Sequence, residues 1–149
     1  MPQRSEPVRV QAMDEFEALR RLMDEFSSFR KMMGARGSDV WMPPTDVFET
    51  YEDIVIKMSV PGVKLKDIRI LFNGEVMTIG GFRDASPGPE VVAYHQMEIR
   101  HGYFERTIVF HKPVNPEAYR WEYQEGFLWI WIPKAEEQVR RVLTIRLEL

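Results

Sequence analysis

From Asp46 to Lys134 the chain is cut by turn residues into short runs of alternating apolar and polar side chains, and that punctuation leaves little choice of fold. Residues 47–51 and 54–60 read as strands joined at Glu52-Asp53, and Pro61-Gly62 closes the second. Ile68, Ile70 and Phe72 alternate with Arg69 and Leu71, Asn73-Gly74 supplies the positive φ angles of a tight hairpin turn, and residues 76–82 form the return. Residues 83–89, with Pro87-Gly88-Pro89, read as a loop, and extended runs follow over 91–99 and 103–110. Pro113 and Pro116 bracket a connection to a last hairpin, 120–123 and 127–132, turning at Glu125-Gly126. Roughly eight short strands with turns every 6 to 12 residues predict an all-β, immunoglobulin-like antiparallel β-sandwich.

Both flanks of this region follow other patterns. Met13, Phe16, Leu19, Leu22, Met23, Phe26, Phe29, Met32 and Met33 recur in steps of three or four among charges, which predicts an amphipathic helix or two short ones. Gly34-Ala35-Arg36-Gly37-Ser38 breaks it, and Pro43-Pro44 bars helix beyond. At the other end a charged spacer from Glu136 to Arg141 precedes Leu143-Thr144-Ile145-Arg146-Leu147-Glu148-Leu149, whose strict alternation marks a strand with one buried face. The expected organisation is an N-terminal arm over 1–40, a sandwich over 41–135 and a C-terminal extension over 136–149.

Charge and residue usage exclude several functions. Twenty basic against twenty-three acidic residues, with no long run of one sign, give no reason to expect nucleic acid or an anionic membrane as partner. No cysteine is present, which removes disulfides, thiol catalysis and cysteine-ligated zinc. Arg4, Glu6, Arg9 and Asp14 occupy the place where a secretory signal would need an apolar core, and no run approaches a membrane span, so a cytoplasmic location and no membrane anchor are expected. Gly80-Gly81 lacks the lysine of a phosphate loop and reads as a strand-end bend; there is no Gly-x-Ser-x-Gly elbow and no His-Glu-x-x-His pair. His95, His101 and His111 sit around strand ends as surface or loop residues. No catalytic residue, cofactor or metal site is expected, and the chain does not read as an enzyme.

Taken in order, Pro44-Thr45-Asp46-Val47-Phe48-Glu49-Thr50, Val60-Pro61-Gly62-Val63, Lys66-Asp67-Ile68, Asn73-Gly74 before Val76-Met77-Thr78-Ile79, Gly102-Tyr103-Phe104-Glu105-Arg106, Gly126-Phe127-Leu128 and Ile132-Pro133-Lys134-Ala135 form a series. Across residues 41–149 that series resembles the small heat-shock proteins of bacterial and plant type, whose central α-crystallin domain is a sandwich of this size. The resemblance implies an ATP-independent chaperone that holds unfolding proteins and prevents their aggregation under heat or other stress. It also implies partners of two kinds, copies of the chain itself in dimers and larger homo-oligomers, and unfolded clients. A co-chaperone or adaptor sandwich binding one folded partner is the alternative, though such domains lack the tail and the long loop found here.

The resemblance assigns roles to particular residues. In the family an isoleucine-x-isoleucine or similar motif inserts two apolar knobs into a groove at the sandwich edge of a neighbouring subunit; spacing from Pro133-Lys134-Ala135 matches Ile145 and Leu147. Leu143 with Ile145, or Leu147 with Leu149, presents the same face in another register, and a final strand of the chain's own domain is the plainer reading. The groove maps to Ile68, Ile70 and Phe72 on one rim and Trp121 and Tyr123 on the other, although Ile68 and Ile70 read equally as core; Trp121 stands where the family usually has alanine, which narrows or reshapes the groove. The run over 91–99 matches a strand on a long loop that crosses to a partner subunit, with Tyr94, His95 and Met97 as exchange-strand residues; an intrachain hairpin is the other reading. The Met- and Phe-rich arm is a client-binding candidate, because methionine adapts to irregular partners. Six apolar residues from Phe127 to Ile132 imply a strand covered on both faces, with the arm or another subunit expected over Trp129 and Trp131.

Overall fold

The computed structural model describes residues 15–34, 40–85, 90–137 and 142–148 of the chain. Eight strands form two four-stranded antiparallel sheets: β1 (Thr45–Glu49), β2 (Asp53–Ser59), β7 (Phe127–Pro133) and β6 (Arg120–Gln124) in the order β1-β2-β7-β6, and β5 (Gly102–Val109), β4 (Val76–Arg83), β3 (Ile68–Phe72) and β8 (Leu143–Arg146) in the order β5-β4-β3-β8. Alternation along each strand sends one set of side chains between the sheets. Ile54, Ile56 and Met58 face inward from β2 opposite Ile132, Ile130 and Leu128 of β7, and meet Ile68, Ile70, Phe72, Met77 and Ile79 of the second sheet in one core. Burying each such side chain contributes about 1.5–3 kcal/mol relative to exposure, so the period-two pattern is what holds the layers face to face.

The hairpin turns use their residues unequally. In the β3–β4 turn only Gly74 takes a positive φ, 90°. Asn73 contributes through its side chain, whose Oδ1 accepts from the backbone N–H groups of Glu75 and Val76 at 2.8 Å each; the expectation of positive φ at both positions is corrected because the carboxamide already closes the turn. The β6–β7 turn does place both central residues in the left-handed region, Glu125 at 52° and Gly126 at 83°. Gly126 is also pressed on Pro61, 2.8 Å from any added Cβ, while its carbonyl accepts from Val60 N–H.

Gly80 and Gly81, expected to mark a strand-end bend, lie inside β4. Each makes room for a ring on a different face. A Cβ on Gly81 would stand 2.3 Å from Phe104 Cζ and 2.9 Å from the Asp67 carbonyl, while one on Gly80 would stand 2.4 Å from the Tyr103 hydroxyl and 3.0 Å from Phe26. The inner glycine lets Phe104 fill the core against Trp41, ring centroids 5.3 Å apart, and the outer one receives the helix.

That helix, α1 (Glu15–Met32), packs on the outer face of the second sheet through Leu22, Phe26 and Phe29. Phe29 meets Tyr103 edge-on at 6.4 Å and lies under the Arg69 guanidinium at 5.0 Å. Arg30 forks onto Glu105, which also accepts from the Tyr103 hydroxyl at 2.8 Å. Burial and the Glu105 hydrogen bond raise the Tyr103 pKa, so the hydroxyl stays a donor. Gly81→Ala is expected to destabilise the sandwich by ~1–3 kcal/mol through overpacking; urea unfolding followed by tryptophan fluorescence checks it, and an unchanged midpoint would contradict the ring-accommodating role.

Candidate functional site at the sandwich edge

The site is built where the two sheets end. β6 is the last strand of one sheet, and β3 would be the last of the other but for β8, which pairs with it antiparallel: Phe72 opposite Leu143, Leu71 opposite Thr144, Ile70 opposite Ile145 and Arg69 opposite Arg146. Leu143, Ile145 and Leu147 point between the sheets and are at most 3 % exposed. They join the same core as Ile68, Ile70 and Phe72, each fully buried, and Trp121 at 1 %. In a single chain, therefore, the tail occupies the edge of its own sandwich as an added strand, satisfying the backbone groups that an open β3 would leave unpaired.

Three knobs enter the groove, including Leu143 beside the expected Ile145 and Leu147. Trp121 forms a floor on the β6 side. Tyr123 is partly buried and packs against the core, and its hydroxyl donates toward the Val60 and Val63 carbonyls, 3.0 Å from each, tying β6 to the turn before β3. Burial pushes this phenol up, against the opposing pull of Arg83.

The remaining expected residues lie elsewhere. Residues 90–100 form no strand and are exposed throughout, with Tyr94 at 61 % and Met97 at 66 %, and His95 exposed beside them. The intrachain hairpin is thereby corrected: among the described residues this segment pairs with no strand of its own chain, although β1 keeps an open edge. Of the arm residues, Leu22, Phe26 and Phe29 are buried, Leu19 and Met33 half-buried, and Phe16, Met23 and Met32 exposed; Met13 lies outside the described residues. Trp129 and Trp131 stack at 5.7 Å and 8° on the outer face of the first sheet. Helix α1 lies on the other sheet and does not cover them; the indoles are half-buried, with Phe48, Lys57 at 4.8 Å from Trp129 and Arg120 at 5.9 Å from Trp131 beside them, and the rest of the arm lies outside the described residues. Arg120 is itself held by Asp53 at 2.7 Å.

The Arg30–Glu105–Tyr103 clamp was not foreseeable from local pattern, since its members are 75 and 73 residues apart in sequence. The only trace in the sequence is small residues at 80 and 81 inside an otherwise large-residue strand.

An immunoglobulin-like antiparallel sandwich whose edge groove is filled by a C-terminal apolar triplet defines the class. The model of the Hsp20/alpha crystallin family matches residues 46–147, and the chain belongs to that family. It is 30 % identical over 105 residues to Small heat shock protein C2 of Rickettsia felis, covering 70 % of this chain and 68 % of that one. Spore protein SP21 of Stigmatella aurantiaca is 27 % identical over 143 residues, covering 93 % and 85 %. Among solved structures, Heat shock protein 16.0 from Schizosaccharomyces pombe superposes with a TM-score of 0.59 at 24 % identity, over 68 % of this chain and 94 % of that one, a likeness of fold. Membership in the small heat-shock proteins supports a chaperone role. Among the described residues no helix is long and apolar enough to cross a membrane, and no group of three or more potential metal ligands occurs.

Replacing Ile145 by Ala removes the central knob and is expected to cost ~2–4 kcal/mol of tail docking. Amide hydrogen exchange across 143–146 would accelerate by two orders of magnitude or so while β2 and β7 stay protected; unaltered exchange in the tail would mean that the knob does not hold it.

Proposed function

We propose that this chain is an ATP-independent holdase that captures unfolding proteins and assembles through tails exchanged between copies. The observation that carries the proposal is the edge groove over Trp121, closed by three side chains that reach it only from beyond the 136–141 spacer. A strand added across so short a contact has a modest free energy. Its apolar side chains give a gross ~4–9 kcal/mol, much of which ordering and association would cancel for a single tail from a neighbour. Many such contacts in parallel make an assembly that holds and still exchanges its members.

Two further surfaces fit this function. The exposed segment 90–100 carries Val92, Tyr94, Met97 and Ile99 to solvent, and β1 ends its sheet with an unpaired edge, so a second copy offers each of them a partner. Tyr94, His95 and Met97 are the proposed exchange-strand residues of a domain-swapped dimer. Cover for Trp129 and Trp131 from another subunit belongs to the same proposal. The arm, residues 1–40, would bind clients with Leu22, Phe26 and Phe29 once the helix lifts from the sheet, with the sandwich at 41–135 and the extension at 136–149 providing assembly. The proposed location is the cytoplasm, and no nucleic acid, cofactor or membrane enters the mechanism.

Suppression of heat-induced client aggregation without ATP, run beside size-exclusion light scattering, tests activity and assembly together. Truncation after Arg141 should collapse the oligomer to small species, deletion of residues 87–96 should give monomers of the folded domain, and removal of residues 1–38 should abolish protection while leaving the sandwich folded. Full protection without the arm, or an unchanged mass without the tail, would refute the corresponding part.

A further inference from the structure

The register of β8 on β3 places Arg69 directly opposite Arg146, both on the outer face. Like charges in that position are destabilising, since opposed Cβ atoms stand only about 4.5–5.5 Å apart. Among the described residues neither arginine forms an ion pair, although Asp67 and Glu148 act on Arg69 through space. Arg69 spends one terminal nitrogen on the Lys66 and Ile68 carbonyls, 2.8 and 3.0 Å away. Burial and the Arg146 charge together lower its pKa. Thr144, two residues before Arg146 on the same face of β8, is 9 % exposed, and its Oγ1 has no hydrogen-bond partner. A buried hydroxyl left unsatisfied costs about 1–3 kcal/mol. Two cations and an orphan hydroxyl on one short strand pair are an arrangement that a bound anion would reverse.

The space for such a ligand exists. A cavity of about 450 Å³ lies between α1 and the β3–β8 edge, lined by Arg21, Arg69, Thr144 and Arg146, with Asp24 and Glu25 on the helix side. A second, of about 340 Å³, adjoins the same two arginines and adds Lys66, with Glu148 beside it. Carboxylates at the rim oppose a diffuse negative ligand and favour a compact one seated between the guanidinium groups, whose planar forks match tetrahedral oxyanions.

We propose that the cavity between helix and tail is an oxyanion site, in which a phosphate-class anion bridges Arg69 and Arg146, accepts from the Thr144 hydroxyl, and locks the tail strand onto β3. The site rests on the β3–β8 pairing and not on chaperone activity, and it forms in the same way whether the tail comes from the same chain or a neighbour. The anion acts as a tether for the tail, so its concentration sets how readily the groove opens. Free orthophosphate and the phosphate chain of a polyphosphate present the same chemistry.

Amide hydrogen exchange of residues 143–146 in the full chain, with orthophosphate titrated against chloride at constant ionic strength, tests this. Phosphate should slow tail exchange about fivefold at roughly four times its dissociation constant, and tripolyphosphate should do so at lower concentration if the chain of phosphates is the better occupant. Arg146→Gln relieves the repulsion, so its tail should exchange slowly in chloride already and ignore phosphate. Thr144→Val keeps the volume and removes the donor, and should weaken the phosphate response severalfold with the tail still docked. An equal effect of phosphate on all three proteins would be general salting-out and would overturn the site, as would no difference from chloride in the wild type. Aggregation suppression measured on the same samples separates failure of this site from failure of the proposed function.

Discussion

The structure depends on closing one edge of a β-sandwich. Strand β3 carries Ile68, Ile70 and Phe72 inward and Arg69 outward, and it has a contiguous neighbour on one side alone, β4. Without β8 its other side would present unpaired backbone groups beside a hydrophobic slot floored by Trp121. The tail supplies backbone partners and two apolar knobs, Leu143 and Ile145, in a strand of four residues, with a third, Leu147, just beyond it. Fold completion and the proposed assembly thus draw on the same contact, the pairing of an alternating strand with β3.

The outer faces of the two sheets solve their exposure differently. On the second sheet, Gly80 leaves a depression into which Phe26 settles, Phe29 packs edge-on against Tyr103, and the Arg30–Glu105–Tyr103 hydrogen bonds fix the helix there. On the first, Trp129 and Trp131 shield each other by stacking and are flanked by Phe48, Lys57 and Arg120. The helix sits over β3 and beside β8, so the arm and the tail share a boundary. Loss of either would expose apolar surface that the other now helps to cover.

Much of this was legible in the sequence because period-two alternation and turn residues act locally. The runs 127–132, 68–72 and 120–123 lie within a residue or two of the observed strands, and Leu143-Thr144-Ile145-Arg146 marks its buried face by its own alternation. Three things were not legible, each because a distant partner decides it. Residues 91–99 have strand-forming side chains but pair with no strand of their own chain, and side-chain pattern alone does not say which edge, if any, they join. The paired glycines of β4 have meaning only against Phe104, Tyr103 and Phe26, which lie far away in sequence. The half-burial of Trp129 and Trp131 by their own stacking and by Lys57 and Arg120 depends on neighbours across the sheet, which the run of apolar residues over 127–132 does not name.

The groove's capacity to accept a tail from another copy is the central claim, and the absence of cysteine from the chain makes it directly measurable. Leu71 and Thr144 are opposite one another across β3 and β8, within the separation a disulfide can span. A chain carrying Leu71→Cys is mixed with one carrying Thr144→Cys, warmed to allow exchange, and oxidised. Tail exchange predicts a two-chain covalent species from the mixture, absent when either variant is oxidised alone. Cross-linking confined to the doubly substituted chain, always within one molecule, would contradict it and leave β8 as a strand of its own domain.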